Sequence, residues 1–225
     1  MNWQDEAFLL GKRKFRENAN IIDIFTNLYG KVSGIVYGGN SRKIRNLLQI
    51  SNNIFVIHTS KSENKIGYFK TELIEPISPR FFSDKKRTSA LLSLTSLLNS
   101  LLPESQPYKA IYDSLKDLLK NLSEDNWPIL YIYWELNLIK ELGYDPNLKV
   151  NKMDLSKNNS FTNIEIDGAK YNVPNFIIKN EIPKQEKNIV KNGLVFNRNL
   201  MLNKFFIPNN IIFPKARILL EKYFN

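Results

Sequence analysis

An α+β chain is predicted: a small β-barrel followed by an α-helical bundle that carries a β-like insertion. Three observations predict it. The first 80 residues are short β-branched and aromatic runs separated by turn residues; from Phe82 the apolar period changes from two to about 3.6; and between 149 and 192 the helical pattern breaks. The 225 residues suit one large or two small domains, and 43% hydrophobic content suffices for a packed core.

Taken in order, WQDEAFLLG, NIIDIFTN, KVSGIVYGG, NIFVIHTS and KIGYFKTELI read as five strands, with Gly30, Gly34 and Gly38-Gly39 at bends. Closing so small a sheet removes its exposed edges, so the first domain, 1–80, is predicted to be an OB-type barrel. The second, 81–225, is predicted to hold helices at about 83–102, 107–122, 128–142, 194–206 and 214–224 around an irregular insertion at 149–192. Ser83 or Asp84 caps the first helix, which carries Leu91, Leu94, Leu97 and Leu98 and stops at Pro103. Tyr108, Ile111, Tyr112, Leu115, Leu118, Leu119 and Leu122 share one face of the next. The third opens at Pro128, closes at Gly143 and is apolar nearly all round, which makes Tyr131 and Trp134 core residues. FTNIEID and AKYNV suggest a hairpin in the insertion, and Pro214 opens the last helix.

The functional groups of most enzymes are missing. With no cysteine and a single histidine, the chain has no thiolate metal site and no material for most zinc or triad chemistry. No Gly-Lys-Ser or Gly-Lys-Thr occurs, and the glycines at 30, 34, 38 and 39 miss the dinucleotide fingerprint, with no helix expected after them. Asp113 and Asp117 share a helix face beside Lys116 and Lys120 and read as ordinary solubility. His58 lies in the apolar strand NIFVIHTS and reads as a packed or surface strand histidine. No catalysis, metal or cofactor is expected. The amino terminus lacks a signal layout and no run reaches the roughly 18 apolar residues of a membrane span, so a cytoplasmic protein is expected.

Binding has better material. The formal charge is +10, but 29 Asn, 25 Ile and 24 Lys against 8 Arg is the usage of an AT-rich genome. The split along the chain says more: +5 over 1–82, −2 over 83–148 and +7 over 149–225. Four of the eight arginines fall within the first 45 residues. Lys12, Arg13, Lys14 and Arg16 are expected after the first strand, and Lys31, Arg42, Lys43 and Arg45 around the third strand and its following loop. Guanidinium groups bind phosphate bidentately, and Phe15, Tyr29 and Tyr37 nearby add surfaces for base stacking. The alternative is a solvated basic rim over barrel-core aromatics.

The opening Trp3-x-Asp5-x-Ala7, the turn Phe25-Thr26-x3-Gly30-Lys31 and Gly34-x-Val36-x-Gly38-Gly39-x-Ser41 together resemble the amino-terminal barrel of the RecO family of bacterial recombination mediators. Further on, Glu135, Leu136, Leu138, Leu142, Gly143 and Tyr144 resemble the family's signature segment, and Pro214-x-Ala216-Arg217 its close. Two departures stand out. The four-cysteine zinc site that many members carry after the Gly-Tyr segment has no cysteine here, and Arg16-Glu17 stands where Gly-Glu is usual.

The resemblance implies a non-enzymatic DNA-repair protein of the RecFOR pathway, nucleoid-associated in the cytoplasm. It implies binding to single- and double-stranded DNA, annealing of complementary strands, association with RecR, and contact with the acidic, Phe-ended tail of single-strand binding protein, so that RecA loads onto covered strands. DNA is expected on the barrel at Arg13, Arg16, Lys31, Tyr37, Arg42, Lys43 and Arg45, and the tail at Lys215 and Arg217. Tyr131 or Tyr133 stands where some relatives have arginines, which puts the tail contacts in question. A protein-interaction adaptor without significant DNA binding is the competing reading.

Overall fold

Five strands, β1 (Asn2–Arg16), β2 (Ala19–Thr26), β3 (Gly30–Tyr37), β4 (Asn53–Thr59) and β5 (Gly67–Glu75), close into a barrel in the order β1-β2-β3-β5-β4. The computed structural model describes residues 2–38, 41–61, 66–146, 148, 160–183 and 187–224, with the side chains of Lys43 and Lys187 outside that set. Neighbouring strands are antiparallel except β3 and β5, which run parallel and meet at Gly34↔Gly67 and Ile35↔Tyr68. This is the OB-type barrel that the sequence predicts. β1 is long because it serves two partners: 2–8 pair with β4 and 7–16 with β2, and a register shift between Leu9 and Gly11 bends it from one to the other. The basic run Lys12–Arg16, expected after the first strand, therefore belongs to it.

Side chains that alternate inward, among them Leu9, Ile22, Ile24, Ile54, Val56 and Phe69, fill the barrel. At the seam between β3 and β5 there is no space for more. A Cβ on Gly34 would lie 2.3 Å from Phe69 Cε2, and one on Gly67 2.0 Å from His58 Nε2, closer than real contacts allow. A short helix, α1 (Arg42–Leu47), forms where the sequence suggests a loop after the glycines at 38 and 39. Ser41 Oγ caps it by accepting from the Ile44 amide, and Leu47 and Leu48 enter the barrel core. Buried Asn52 ties its end down: Nδ2 donates to the Leu47 carbonyl at 3.1 Å, and Oδ1 accepts from the amides of Ile77 and Ser78 at 2.9 and 3.3 Å.

The chain divides into two compact units, residues 1–112 with 214–220 and residues 113–213 with 221–225, so the division falls within α3 (Lys109–Lys120) and again within α7 (Lys215–Lys222). Beside the barrel, the first unit holds a 3-10 turn (Ser78–Phe81) and α2 (Lys85–Leu101), which packs against β1 and is capped by Asp84. The Tyr112 ring meets Phe8 and Phe25 at 5.3 and 5.7 Å between centroids.

In the second unit α4 (Trp127–Glu141) buries Tyr131, Trp134, Leu138 and Ile139 and packs against α6 (Lys187–Met201). Gly193 permits the close approach, since a Cβ there would lie 2.7 Å from Ile132 Cδ1. α6 starts at Lys187 rather than 194 because Val190 joins Leu194 on its buried face, and it runs on into a π-helical turn (Leu202–Phe206). The insertion holds a hairpin, β6 (Phe161–Ile166) and β7 (Ala169–Pro174), followed by α5 (Asn175–Lys179). Asp167 and Gly168 turn the hairpin with φ of 50° and 77°, the left-handed pair a two-residue turn requires. Residues 149–159 and 184–186 of the expected insertion lie outside the described residues.

Two outcomes follow from the seam. Gly67→Ala forces the His58 ring to move and lowers unfolding stability by about 1–3 kcal/mol, read as an earlier urea midpoint. Burial holds the His58 pKa below the ordinary histidine value. Between that depressed value and about 6.5 the unfolded chain binds more protons than the folded one, so the stability contribution is complete above about pH 6.5 and falls as the pH drops below it. Urea titrations across this range show that decline in the native chain, and His58→Gln flattens it.

Candidate nucleic-acid interface

The cations that look alike in sequence are sorted by their surroundings. Arg13 is exposed but paired: Nη1 donates to both Asp23 oxygens, at 2.9 and 2.8 Å, and Asp23 Oδ1 also accepts from Ser33 Oγ at 2.7 Å. Gly11 leaves the space for that carboxylate, whose Oδ2 would be 2.9 Å from a Cβ at this position. Lys31 is only 8% exposed. Its ammonium donates to the Asn99 carbonyl at 2.9 Å and faces Glu104 Oε1 at 3.5 Å, while its own carbonyl accepts from the Ser105 amide at 2.8 Å. Lys31 therefore fixes the segment after α2 to the start of β3 and leaves little of its side chain open to solvent. Arg217 is fully buried, whereas Lys215 is exposed.

The remaining candidates gather at one rim. Arg16 lies over the Phe15 ring at 5.2 Å, and its charge acts on Tyr37, which is 56% exposed at the end of β3. The ladder explains the meeting, because Arg16 pairs with Ala19 and Ala19 with Tyr37. Tyr37 stacks on Tyr68 with ring centroids 5.5 Å apart and planes 16° from parallel. A hydrogen bond between the two side chains is the main cause that raises the Tyr37 pKa, and Arg16 pulls the other way. The β1–β2 turn is tied to the same place, since the Gly38 amide donates to the Asn18 carbonyl at 2.9 Å.

On α1, Arg42 and Arg45 are exposed one turn apart. Lys43 lies on the same helix, with its side chain outside the described residues. Lys12 Nζ donates to the Leu48 carbonyl at 3.0 Å just past that helix, and burial, then the neighbouring Arg45 charge, lower its pKa. Lys12 and Tyr68 thus lie beside candidates that sequence alone picks out, Arg45 and Tyr37. Alternation along KIGYFKTELI carries the signal for Tyr68: with Phe69 inward, Tyr68 and Lys70 point out. Tyr29, expected among the stacking rings, is half-buried and stacks on Trp3 at 4.1 Å, and Trp3 in turn stacks on His58 at 4.7 Å.

Exposed rings that carry π-faces beside guanidinium groups, on the rim where loops of an OB-type barrel take oligomers, can stack unpaired bases and contact phosphates. In the second unit, the residues that stand where arginines occur in the resembling family are occupied otherwise. Tyr131 is fully buried, and the Tyr133 hydroxyl lies 2.8 and 2.7 Å from the carbonyl oxygens of Phe176 and Glu181. Burial first, and the Glu181 charge second, push the Tyr133 pKa up to about 12. The insertion does not fit the zinc site either. The chain has no cysteine, and among the described residues no three His, Cys, Asp or Glu side chains gather as a ligand set. At the hairpin tip, Asp167 instead accepts from the Tyr144 hydroxyl at 2.7 Å and the Lys204 ammonium at 2.5 Å. No helix among the described residues is long and apolar enough to cross a membrane.

Family models described as Recombination protein O N terminal and Recombination protein O C terminal match residues 1–77 and 83–151. The chain is similar to proteins named DNA repair protein RecO. It is 36% identical to that of Hyphomonas neptunium over 66% of this chain and 62% of the relative, and 34% identical to that of Roseobacter denitrificans over 64% and 60%. Against that of a Wolbachia strain from Drosophila simulans it is 31% identical over 70% and 62%. The chain thus spans about three-fifths of the length of these relatives.

Sorting the cations by burial separates stability from binding. Lys31→Met leaves the Asn99 carbonyl without its donor and costs about 1–3 kcal/mol in urea unfolding, while the salt slope of oligonucleotide binding by the folded variant stays that of the native chain.

Proposed function

The chain belongs to the RecO family, and from that premise we propose that it is a non-enzymatic recombination mediator that works in DNA repair. Its barrel, 1–80, holds single- and double-stranded DNA on the rim built from Arg16, Tyr37, Arg42, Lys43 and Arg45, joined by Lys12 and Tyr68. The observation that carries this reading is the exposed Tyr37–Tyr68 stack beside Arg16. Arg13 has a smaller part, since Asp23 offsets its charge.

Annealing follows from capture. Cations that hold the phosphates of two strands raise the strands' local concentration and screen their repulsion, so complementary bases pair without covalent chemistry or nucleotide hydrolysis. Stacking on Tyr37 and Tyr68 keeps captured bases unpaired and open to a second strand. In the same reading, carried from the family, the protein acts in the cytoplasm at the nucleoid, associates with RecR and meets the acidic, Phe-ended tail of single-strand binding protein, which lets RecA load. For the tail, exposed Lys215 with Ile218 and Leu219, 38% and 44% exposed, offers a cation beside apolar surface.

A strand-annealing assay across a salt series, on bare strands and on strands covered by the cognate single-strand binding protein, tests the role. Acceleration that falls with salt is expected on both. Folded protein that accelerates neither substrate would favour the adaptor reading. A folded variant with Arg16, Arg42, Lys43 and Arg45 changed to alanine is expected to weaken binding to all sequences about equally and to flatten the salt slope by about 0.7–0.9 for each phosphate no longer neutralised. Tyr37→Ala with Tyr68→Ala lowers single-strand affinity by about 1–3 kcal/mol per stacked base and spares duplex binding, as read by fluorescence anisotropy.

A further inference from the structure

A groove of about 290 Å³ lies in the second unit, between β7 and the face of α6 that continues into the π-helical turn. Four consecutive β7 residues, Ala169–Asn172, border it. Successive strand side chains point to opposite faces, so a cavity that touches all four runs along the edge of the strand. β7 pairs with β6 on one side only; among the described residues no strand pairs with its other edge, whose amide and carbonyl groups therefore border the groove. The helical wall presents Asn192, Asn199 and Asn203, which share one face of α6 and its continuation. Asn203 Nδ2 donates to the Tyr171 hydroxyl at 2.8 Å, which fixes that amide at the groove.

A carboxamide repeats the hydrogen-bonding groups of a main-chain amide, one acceptor and one donor group. A groove with a bare strand edge on one side and a row of carboxamides on the other can satisfy both edges of an extended chain. The same features disfavour other ligands. Among the described lining residues Lys170 is the one cation, too little for a run of phosphates. The aromatic lining residues, Tyr171 and Phe196, are 5% and 2% exposed and pack edge to face at 6.0 Å, so neither offers an open face to a base. Ile207, 63% exposed, adds an apolar contact to the lining.

We propose that this groove binds an extended peptide of a partner protein, which joins the β6–β7 hairpin as a third strand on β7 and has its outer main-chain edge held by the carboxamides of Asn192 and Asn199. Recognition is through the main chain, with one apolar side chain of the peptide against Ile207, and so does not require the acidic residues of the tail considered above. The site is independent of the DNA reading.

Panning a phage library of short random peptides on the immobilised full chain supplies the probe: the most enriched peptide, made synthetically, and copies of it N-methylated at alternate amides. The expected result is threefold. The peptide slows hydrogen exchange at 169–172; one alternate N-methylated set binds about tenfold or more weakly, equivalent to 1.4 kcal/mol; and Asn192→Leu with Asn199→Leu weakens the peptide to a similar degree without changing oligonucleotide binding. The N-methyl series needs no protein variant and stands even if the double variant folds poorly. Failure to enrich any peptide, affinity indifferent to N-methylation, or protection elsewhere than 169–172 would overturn the proposal. Protection of 169–172 by a thymine oligonucleotide in place of the peptide would also overturn it, assigning the groove to nucleic acid.

Discussion

Closure of the barrel at one narrow seam governs the rest of the first unit. β3 and β5 run parallel there over two residue pairs, Gly34↔Gly67 and Ile35↔Tyr68, and the rings of Phe69 and His58 take the space that side chains on the glycines would need. With so short a ladder, the seam depends on this fit of glycine to ring rather than on hydrogen bonds alone. The same register sets the exterior. Phe69 turned inward leaves Tyr68 outward, one residue along from the glycine pair and stacked against Tyr37, and Tyr37 is the last residue of β3 before the chain turns into α1. A packing constraint inside the barrel thus positions the aromatic part of its outer rim.

The charge at that rim is what remains after the fold has used its share. Lys31 is drawn in to hold a carbonyl and Arg13 is matched by Asp23, while Arg217 is buried. Arg16, Arg42 and Arg45 stay exposed, with Lys12 beside α1. Net charge alone does not distinguish these roles, and in a lysine-rich chain it overstates the positive surface open to a polyanion. In the second unit, a hairpin tip held by Tyr144, Asp167 and Lys204 stands in the region where the resemblance places a zinc site, so ionic and hydrogen-bonded contacts supply the cross-link there.

Much of the fold was legible because strong periodicities carry it. The five strands, the α4 core with Tyr131 and Trp134, and the FTNIEID–AKYNV hairpin all follow from apolar spacing and turn residues. α1 was not legible: six residues rich in charge show no period, and only Leu47 and Leu48 meeting a barrel mouth make them a helix. The early start of α6 was hidden by the lysines and asparagines around Val190. Site residues were harder to read. Arg16 and Tyr37 are exposed, but the burial of Lys31 depends on Asn99 and Glu104, more than 60 positions away along the chain, which local pattern cannot reveal. Tyr68 was readable from alternation once Phe69 was placed inward, and that placement needs the space that Gly34 leaves across the seam.

Nucleic acid is proposed to lie on the aromatic and guanidinium rim of the barrel. Ultraviolet crosslinking of the full chain to single strands carrying 5-iodouracil, followed by mass mapping of the adducts, tests it most directly. Adducts at Tyr37, Tyr68 or Phe15 are the predicted result. Adducts confined to residues 113–213, with none on the barrel, would contradict it.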